Sequence, residues 1–298
     1  MNGQMNFFEF DAPKLKIDKP IRLIELFAGI GAQAKALENL GVPFEHYRCC
    51  EIDKYAVKSY NAVHGTDFGV SDITKIHGVD LGIKDTDRYC YIMTYSFPCT
   101  DLSKAGAQKG MSKGSGTRSG LLWEVERLLS EMDERPQILL MENVPDVISD
   151  KFIDDFREWI AFLESIGYTS AYKVLNATGF DIPQNRDRCF MVSWIGNAWY
   201  EFPEPHKLTV SLNDFLDDKV DDKYYLTGDQ VIALKESSFN ASKQIADLTE
   251  RERERGCGRN ADGKRLQRSE VCKTLRCGGR ASIDAKHIFD VVRVWESE

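Results

Sequence analysis

Along the first two hundred residues, short apolar runs alternate with segments whose apolar positions recur every three or four residues. "IRLIELFAGIGAQAKALENLG" (21–41) changes period within one unit: an apolar run, a glycine-bearing turn, then Ile30, Ala34, Leu37 and Leu40 at helical spacing, stopped by Gly41. Further apolar, β-prone runs at 47–53, 89–95, 137–144, 168–175 and 188–195 predict strands, and 54–62, 119–133 and 150–166 predict helices. Strands alternating with helices imply an α/β fold built on a doubly wound, mostly parallel sheet. After about residue 200 the pattern breaks into prolines, an acidic run and short apolar pieces. The chain therefore reads as an amino-terminal extension (1–20), a main α/β domain (21–200) and a smaller, irregular unit (201–298) with weak strand signals at 271–276 and 288–295.

Composition narrows the class. With 42% hydrophobic and 29% charged residues, the 298-residue chain can bury a sizeable core. No apolar run approaches the roughly 20 residues that cross a bilayer, and the amino end lacks the order of a signal peptide, so a cytoplasmic protein is expected. The eight cysteines are scattered and form no C-x-x-C pair; Cys272 and Cys277 lack a second pair at zinc spacing. Reduced thiols without metal are the expectation. The net charge of −8 conceals a segregation: acids outnumber Lys plus Arg by 11 to 5 over 201–250, whereas bases outnumber acids by 10 to 4 over 251–280. The basic block suits either a phosphate backbone or a solvated loop.

In "FAGIG", Gly29 and Gly31 would let the backbone approach a ligand, and the following helix offers N–H groups and the positive end of its dipole. The turn equally suits simple strand-to-helix packing. It lacks the third glycine of the dinucleotide fingerprint, which disfavours NAD. Glu51, about twenty residues on, falls where an acid accepts ribose hydroxyls, and Asp72, expected near a third strand end, could take an adenine amino group.

"YIMTYSFPCT" (91–100) places Cys99 just past a proline at a strand end, followed by a polar, glycine-rich stretch that reads as a mobile loop. Residue type alone leaves two readings, a nucleophile or an inert surface thiol. Glu142 in "LLMENVPDV" would project from the same sheet edge as a proton carrier, or be a turn acid before Pro145. Gln184, Arg186 and Arg188 alternate as the chain enters a strand, so one shared polar face is expected, to bind a polar ring, to fix Glu142, or simply as an exposed edge.

Together these residues resemble the cytosine-C5 DNA methyltransferases. "FAGIG", the acid of "EID", "SDI", "SFPC", "ENV" and "QNRDR" stand in that family's order and spacing over about 21–195, in the manner of bacterial restriction-modification and phage or prophage enzymes. The resemblance implies a class I, Rossmann-like methyltransferase domain over 21–200 and a target-recognition region over 201–298. It implies that Phe27, Gly29, Gly31, Glu51, Ile52, Asp72, Ile73 and Pro98 hold S-adenosylmethionine. It makes Cys99 the nucleophile that adds to C6 of a flipped cytosine, Glu142 the group at N3 and the amino group, and Arg188 with Arg186 the residues that orient them. The loop from about 103 to 119 would close over the substrate. Double-stranded DNA is the implied partner, with Ser103, Lys104, Arg118 and Gln184 near it, and Arg276 and Arg280 around Gly278-Gly279 approaching it from the basic block.

The pattern departs from the family at Ser96 and Thr100, where glycine and glutamine are commoner, and at the carboxyl end, where the family's last conserved segments are not found before "WESE". The reading that fits intact catalytic residues is a split enzyme completed by a second polypeptide; truncation or a non-catalytic DNA-binding relative are the alternatives. A tRNA cytosine methyltransferase is disfavoured by the size of 200–298 and its basic block.

Overall fold

The computed structural model describes residues 12–103, 108–215 and 272–273. The chain divides into two compact units, Met1–Leu175 with Asp187–Pro203, and Asn176–Arg186 with Glu204–Glu298. Residues 176–186 group with the second unit, and the first unit ends at Pro203.

The first unit is a six-stranded sheet in the order β2-β1-β3-β4-β7-β5. β1 (Ile21–Leu26) pairs in parallel with β2 (Phe44–Cys50) and β3 (Cys90–Tyr95), and β3 with β4 (Ile138–Asn143). β7 (Asp187–Ile195) runs antiparallel to β4, and β5 (Tyr168–Asn176) forms the edge. Every residue of β3 is buried, as expected of a central parallel strand covered on both faces. Its alternate residues enter separate cores. Tyr91, Met93 and Tyr95 join α3 (Leu122–Glu131) and α4 (Ile153–Ser165) through Val125, Leu128, Phe156 and Trp159, while Cys90 and Ile92 pack with Ala34 of α1 (Ala32–Asn39). α2 (Lys54–His64) begins at Asp53, whose carboxylate accepts from Tyr55 N and Ala56 N, and stops at left-handed Gly65.

Most predicted elements lie within a few residues of those observed, with informative exceptions. β2 starts and ends three residues ahead of the expected 47–53, because Glu51 and Asp53 spend their carboxylates on backbone N–H groups and so leave the ladder. Ile30 and Leu40 are exposed, since α1 begins only at Ala32 and ends at Asn39, leaving both outside it. Asp72 stands at no strand end; its carboxylate closes a turn by accepting from the Thr74 amide and hydroxyl, and the segment is held alongside β2 by Ser71 N donating to Glu51 O at 2.8 Å. No helix among the described residues is long and apolar enough to cross a membrane.

In the second unit, β6 (Gln184–Asn185) pairs in parallel with β8 (Cys272–Lys273), within the weak strand signal at 271–276. Its 176–182 segment is tied to 204–215 by His206 N donating to Gly179 O, and by Thr209 donating from N and Oγ1 to Asp181. The signal at 288–295 lies outside the described residues.

Candidate active site

The turn after β1 is left-handed at three positions, Phe27 (φ 56°), Gly29 (φ 56°) and Gly31 (φ 81°). Phe27 is the costly one, since a non-glycine residue held there stores on the order of 1–3 kcal/mol. The two glycines serve different ends. A Cβ on Gly31 would lie 2.3 Å from His64 Nε2 and 2.6 Å from Tyr60 Cε2, so Gly31 is small to let α2 pack, whereas a Cβ on Gly29 would meet nothing within 4 Å. Only Gly29 therefore keeps an open approach. Its N–H donates to Glu51 Oε2 at 2.8 Å, and Asp53 N donates to Glu51 Oε1 at 2.8 Å, which locks the carboxylate beside the opening.

The N-terminus of α1 is not the free anion site that the turn suggested. Ala34 N donates to Glu25 Oε1, and Tyr60 Oη donates to Glu25 Oε2 at 2.5 Å. Glu25 is fully buried, and desolvation raises its carboxyl above the ordinary range. The Glu51 carboxylate at the turn opposes a pyrophosphate and suits a ligand carrying hydroxyl donors. Ile52, 65% exposed, offers an apolar surface beside Glu51. Asp72, held below the usual carboxylate range chiefly by the Thr74 hydroxyl, keeps an anionic acceptor nearby in sequence to Ile73. The Ile73 side chain is buried in the core, and its carbonyl accepts from Arg127 Nη2.

Cys99 follows β3 by four residues and is partly exposed, whereas Cys49, Cys50, Cys90 and Cys189 are buried. Burial pushes Cys49 and Cys189 up to about 12 and Cys90 to about 11. The loop that carries Cys99 is fastened on both sides. Asn143 Nδ2 donates to Phe97 O at 3.0 Å, and Ser119 Oγ donates to Pro98 O at 2.6 Å. Asp101, buried, accepts from Arg118 N and Ser119 N, while Leu102 N and Ser103 N donate to Cys99 O. Asn143, Ser119 and Asp101 were not singled out by sequence; an Asn next to Glu142 was the only available signal.

β4 delivers Glu142 one residue past Met141, the partner of Tyr95 in the β3 ladder, so the Glu142 and Cys99 segments leave adjacent strands at the same edge. Arg188 Nε lies 2.8 Å from Glu142 Oε1, with the two side chains 16% and 22% exposed. The pair is two-thirds or more desolvated on each side, where a hydrogen-bonded charge pair has a defined geometry. Gln184, Arg186 and Arg188 do not share one strand face. β6 ends at Asn185 and β7 begins at Asp187, so Gln184 and Arg186 belong to the second unit and only Arg188 to the first.

Arg118 is exposed and, with Thr100, Asp101, Lys109, Ser115, Gly116 and Thr117, lines an open cleft of about 470 Å³ immediately following Cys99 in the chain. The described part of the expected closing loop is fastened: Met111 is fully buried with its carbonyl accepting from Trp123 Nε1 at 2.6 Å, Lys151 Nζ donates to Gln108 O, and Lys113 pairs with Glu126. Lys104, Arg276 and Arg280 lie outside the described residues.

The sheet is that of a Rossmann-like methyltransferase, with an acid-lined turn after β1, a partly exposed cysteine after β3 and an Arg-paired glutamate in β4. Comparison with known proteins makes this specific. Residues 21–287 match the model of the C-5 cytosine-specific DNA methylases, and the chain belongs to that family. It is 34% identical over 259 residues to the type II methyltransferase M2.ScrFI of Lactococcus lactis subsp. cremoris, spanning 71% of each chain. It is 46% identical over 134 residues to the orphan methyltransferase M.SssI of Spiroplasma monobiae, but this covers 44% of the chain and 34% of the relative. The alignment with M.NlaX of Neisseria lactamica, 35% identical, spans 63% of that relative. Among solved structures, the Entamoeba histolytica methyltransferase EhMeth superposes with a TM-score of 0.60 at 18% identity, covering 74% of this chain and 67% of that one. At that identity the likeness concerns the fold.

Proposed function

We propose that the chain methylates C5 of cytosine in DNA, with Cys99 as the nucleophile. The observation that carries the reading is that Cys99 is partly exposed where Cys49, Cys50, Cys90 and Cys189 are buried, on a loop fastened beside the strand that bears the Arg188-paired Glu142.

The turn fits S-adenosylmethionine: an open approach at Gly29, a fixed carboxylate at Glu51 for a ribose diol, exposed Ile52 for an adenine face, and no unopposed anion site. When bound, the cofactor supplies an electrophilic methyl group for C5. Phe27 and Pro98 flank the same sheet edge, Phe27 partly buried against the core and Pro98 holding the thiol loop through its carbonyl. Ile73 contributes through the wall it helps to pack.

C5 of cytosine is a poor nucleophile. Addition of the Cys99 thiolate at C6 forms an S–C6 bond and moves the C5–C6 π electrons to C5, giving it enamine character. Glu142 at N3 stabilises the charge that develops on the ring, and the Arg188 guanidinium holds the Glu142 carboxyl in one orientation. After C5 is methylated, loss of its proton and expulsion of Cys99 from C6 restore the aromatic ring. C6 is inaccessible in a stacked duplex, so the base leaves the stack at a cost of a few kcal/mol. Lys109 and Arg118 along the cleft next to Cys99 suit the displaced strand's phosphates.

DNA containing 5-fluorocytosine tests this, because fluorine cannot leave as the proton does and the S–C6 adduct is trapped. The chain is expected to form a denaturant-resistant complex that requires cofactor and is absent in C99A. Methylation by C99A, or an adduct mapped to another cysteine, would overturn the reading.

A further inference from the structure

Glu38 of α1, His46 of β2 and His64 at the end of α2 form a cluster that takes no part in the proposed methyl transfer, and one ligand atom from each lies within 4.8 Å of the others. Glu38 Oε1 is 2.6 Å from His64 Nδ1 and 3.7 Å from His46 Nε2. The His64 side chain is 0% exposed, and His46 and Glu38 are 19% and 29% exposed.

The hydrogen bonds around the cluster decide which nitrogens carry lone pairs. Tyr60 Oη gives its proton to Glu25 Oε2 at 2.5 Å, so it accepts from His46 Nδ1 at 3.0 Å. That leaves the lone pair of His46 on Nε2, turned toward the Glu38 carboxylate, itself only an acceptor. His64 Nε2 lies 3.1 Å from the Ile30 carbonyl, which holds a proton there, and its Nδ1 is hydrogen-bonded to Glu38 Oε1 at 2.6 Å. A cation that displaces the Nδ1 proton would meet lone pairs from Nδ1, His46 Nε2 and Glu38 Oε1 at one point. The second carboxylate oxygen of Glu38 accepts from Lys35 Nζ at 2.8 Å, leaving Oε1 for the cation.

We propose that Glu38, His46 and His64 bind a divalent zinc-type cation through Oε1, Nε2 and Nδ1, with water completing the shell. Two imidazoles and a carboxylate are a zinc donor set, and imidazole nitrogens argue against calcium or magnesium. Tetrahedral ligands at about 2.0–2.1 Å from the ion stand about 3.3 Å apart. The 2.6 Å contact must open by about 0.7 Å and the 3.7 Å contact close by about 0.4 Å, and the two imidazoles, whose ligand atoms lie within 4.8 Å, must reach the same spacing by side-chain rotation. Tyr60 and the Ile30 carbonyl are the outer partners that fix the two tautomers. The cysteine spacing that argued against metal does not bear on this site, and neither does the proposed methyl transfer. The ion would tie α1, β2 and α2 together behind Gly31, the residue against which His64 packs.

The untagged full chain, stripped with EDTA, is titrated with zinc chloride by calorimetry and with cobalt(II) by absorption spectroscopy. One high-affinity zinc per chain is expected, with a rise in melting temperature, and cobalt bands without thiolate charge transfer. In H46Q and E38Q the affinity should fall by more than the roughly 10–100-fold typical of losing an outer partner. Circular dichroism and metal-free melting show that both variants fold. No zinc binding by the wild type, unchanged affinity in both folded variants, or a thiolate charge-transfer band would each overturn the site.

Discussion

Asn143 Nδ2 donates to the carbonyl of Phe97 at 3.0 Å, while Asn143 Oδ1 accepts from Val144 N at 2.9 Å. The residue that follows Glu142 thereby fastens the loop two positions ahead of Cys99, so the proposed proton carrier and nucleophile share one anchor. Asn143 is buried, and removing its side chain leaves the Phe97 carbonyl short of a donor, at about 1–3 kcal/mol. Asn143→Ala should slow adduct formation on the order of 10- to 100-fold while the affinity for DNA stays near wild type. Single-turnover trapping with 5-fluorocytosine DNA, alongside equilibrium binding, separates the two.

Cys99 should react with iodoacetamide well before Cys49, Cys50, Cys90 or Cys189 in the folded chain. The four are buried, and desolvation suppresses their thiolates. Peptide mapping after short exposure checks the order among these five.

Arg188→Ala removes the guanidinium from Glu142 and is expected to lower the rate of methylation by about 10²–10⁴-fold, the range for a mispositioned acid–base group. Arg188→Lys should restore little, because a point charge does not reproduce the fixed direction of the Nε donor. Methyl transfer from radiolabelled cofactor, with Cys99 alkylation as a control for folding, measures this.

The two glycines of the turn should separate stability from binding. Gly31→Ala adds a Cβ that meets His64 and Tyr60 at a left-handed position, so it should lower unfolding stability by at least about 1 kcal/mol in urea. Gly29→Ala meets open space, so its larger effect should fall on cofactor affinity, read by equilibrium dialysis.

Glu38 is held at about 2, below its ordinary 4.5, first by the Lys35 hydrogen bond and then by His64. A carboxyl depressed in the folded state contributes stability above its unfolded value and loses it as pH falls through the folded one. In EDTA, wild-type stability should therefore decline between about 4.5 and 2 more steeply than that of Glu38→Gln. Urea melts at stepped pH read the difference.

Local signals made β3, β4, α3 and α4 legible, since each pairs an unbroken apolar run or period with a clear stop. The same runs pointed to Cys99 and Glu142, because polar residues near the end of a buried strand emerge at the sheet edge. The misplacements have a common cause. Asp72, expected near a strand end, instead closes a turn onto Thr74, because a carboxylate also satisfies backbone N–H groups, and which use prevails depends on what lies opposite. Likewise the alternation of Gln184, Arg186 and Arg188 implied one strand, whereas pairing with β8 draws Gln184 away from the strand that Arg188 enters.

By itself, the order of motifs determined the family, the sheet that carries them and the residue types available for chemistry, because periodicity and residue type are properties of neighbours in the chain. The tertiary structure alone decided that Gly31 serves packing and Gly29 stays open, that Asn143 and Ser119 hold the loop of Cys99, that Arg188 pairs with Glu142, and that Glu38, His46 and His64 meet. Those relations join residues from 8 to 46 positions apart, and only the stacking of strands and helices brings their atoms within bonding distance.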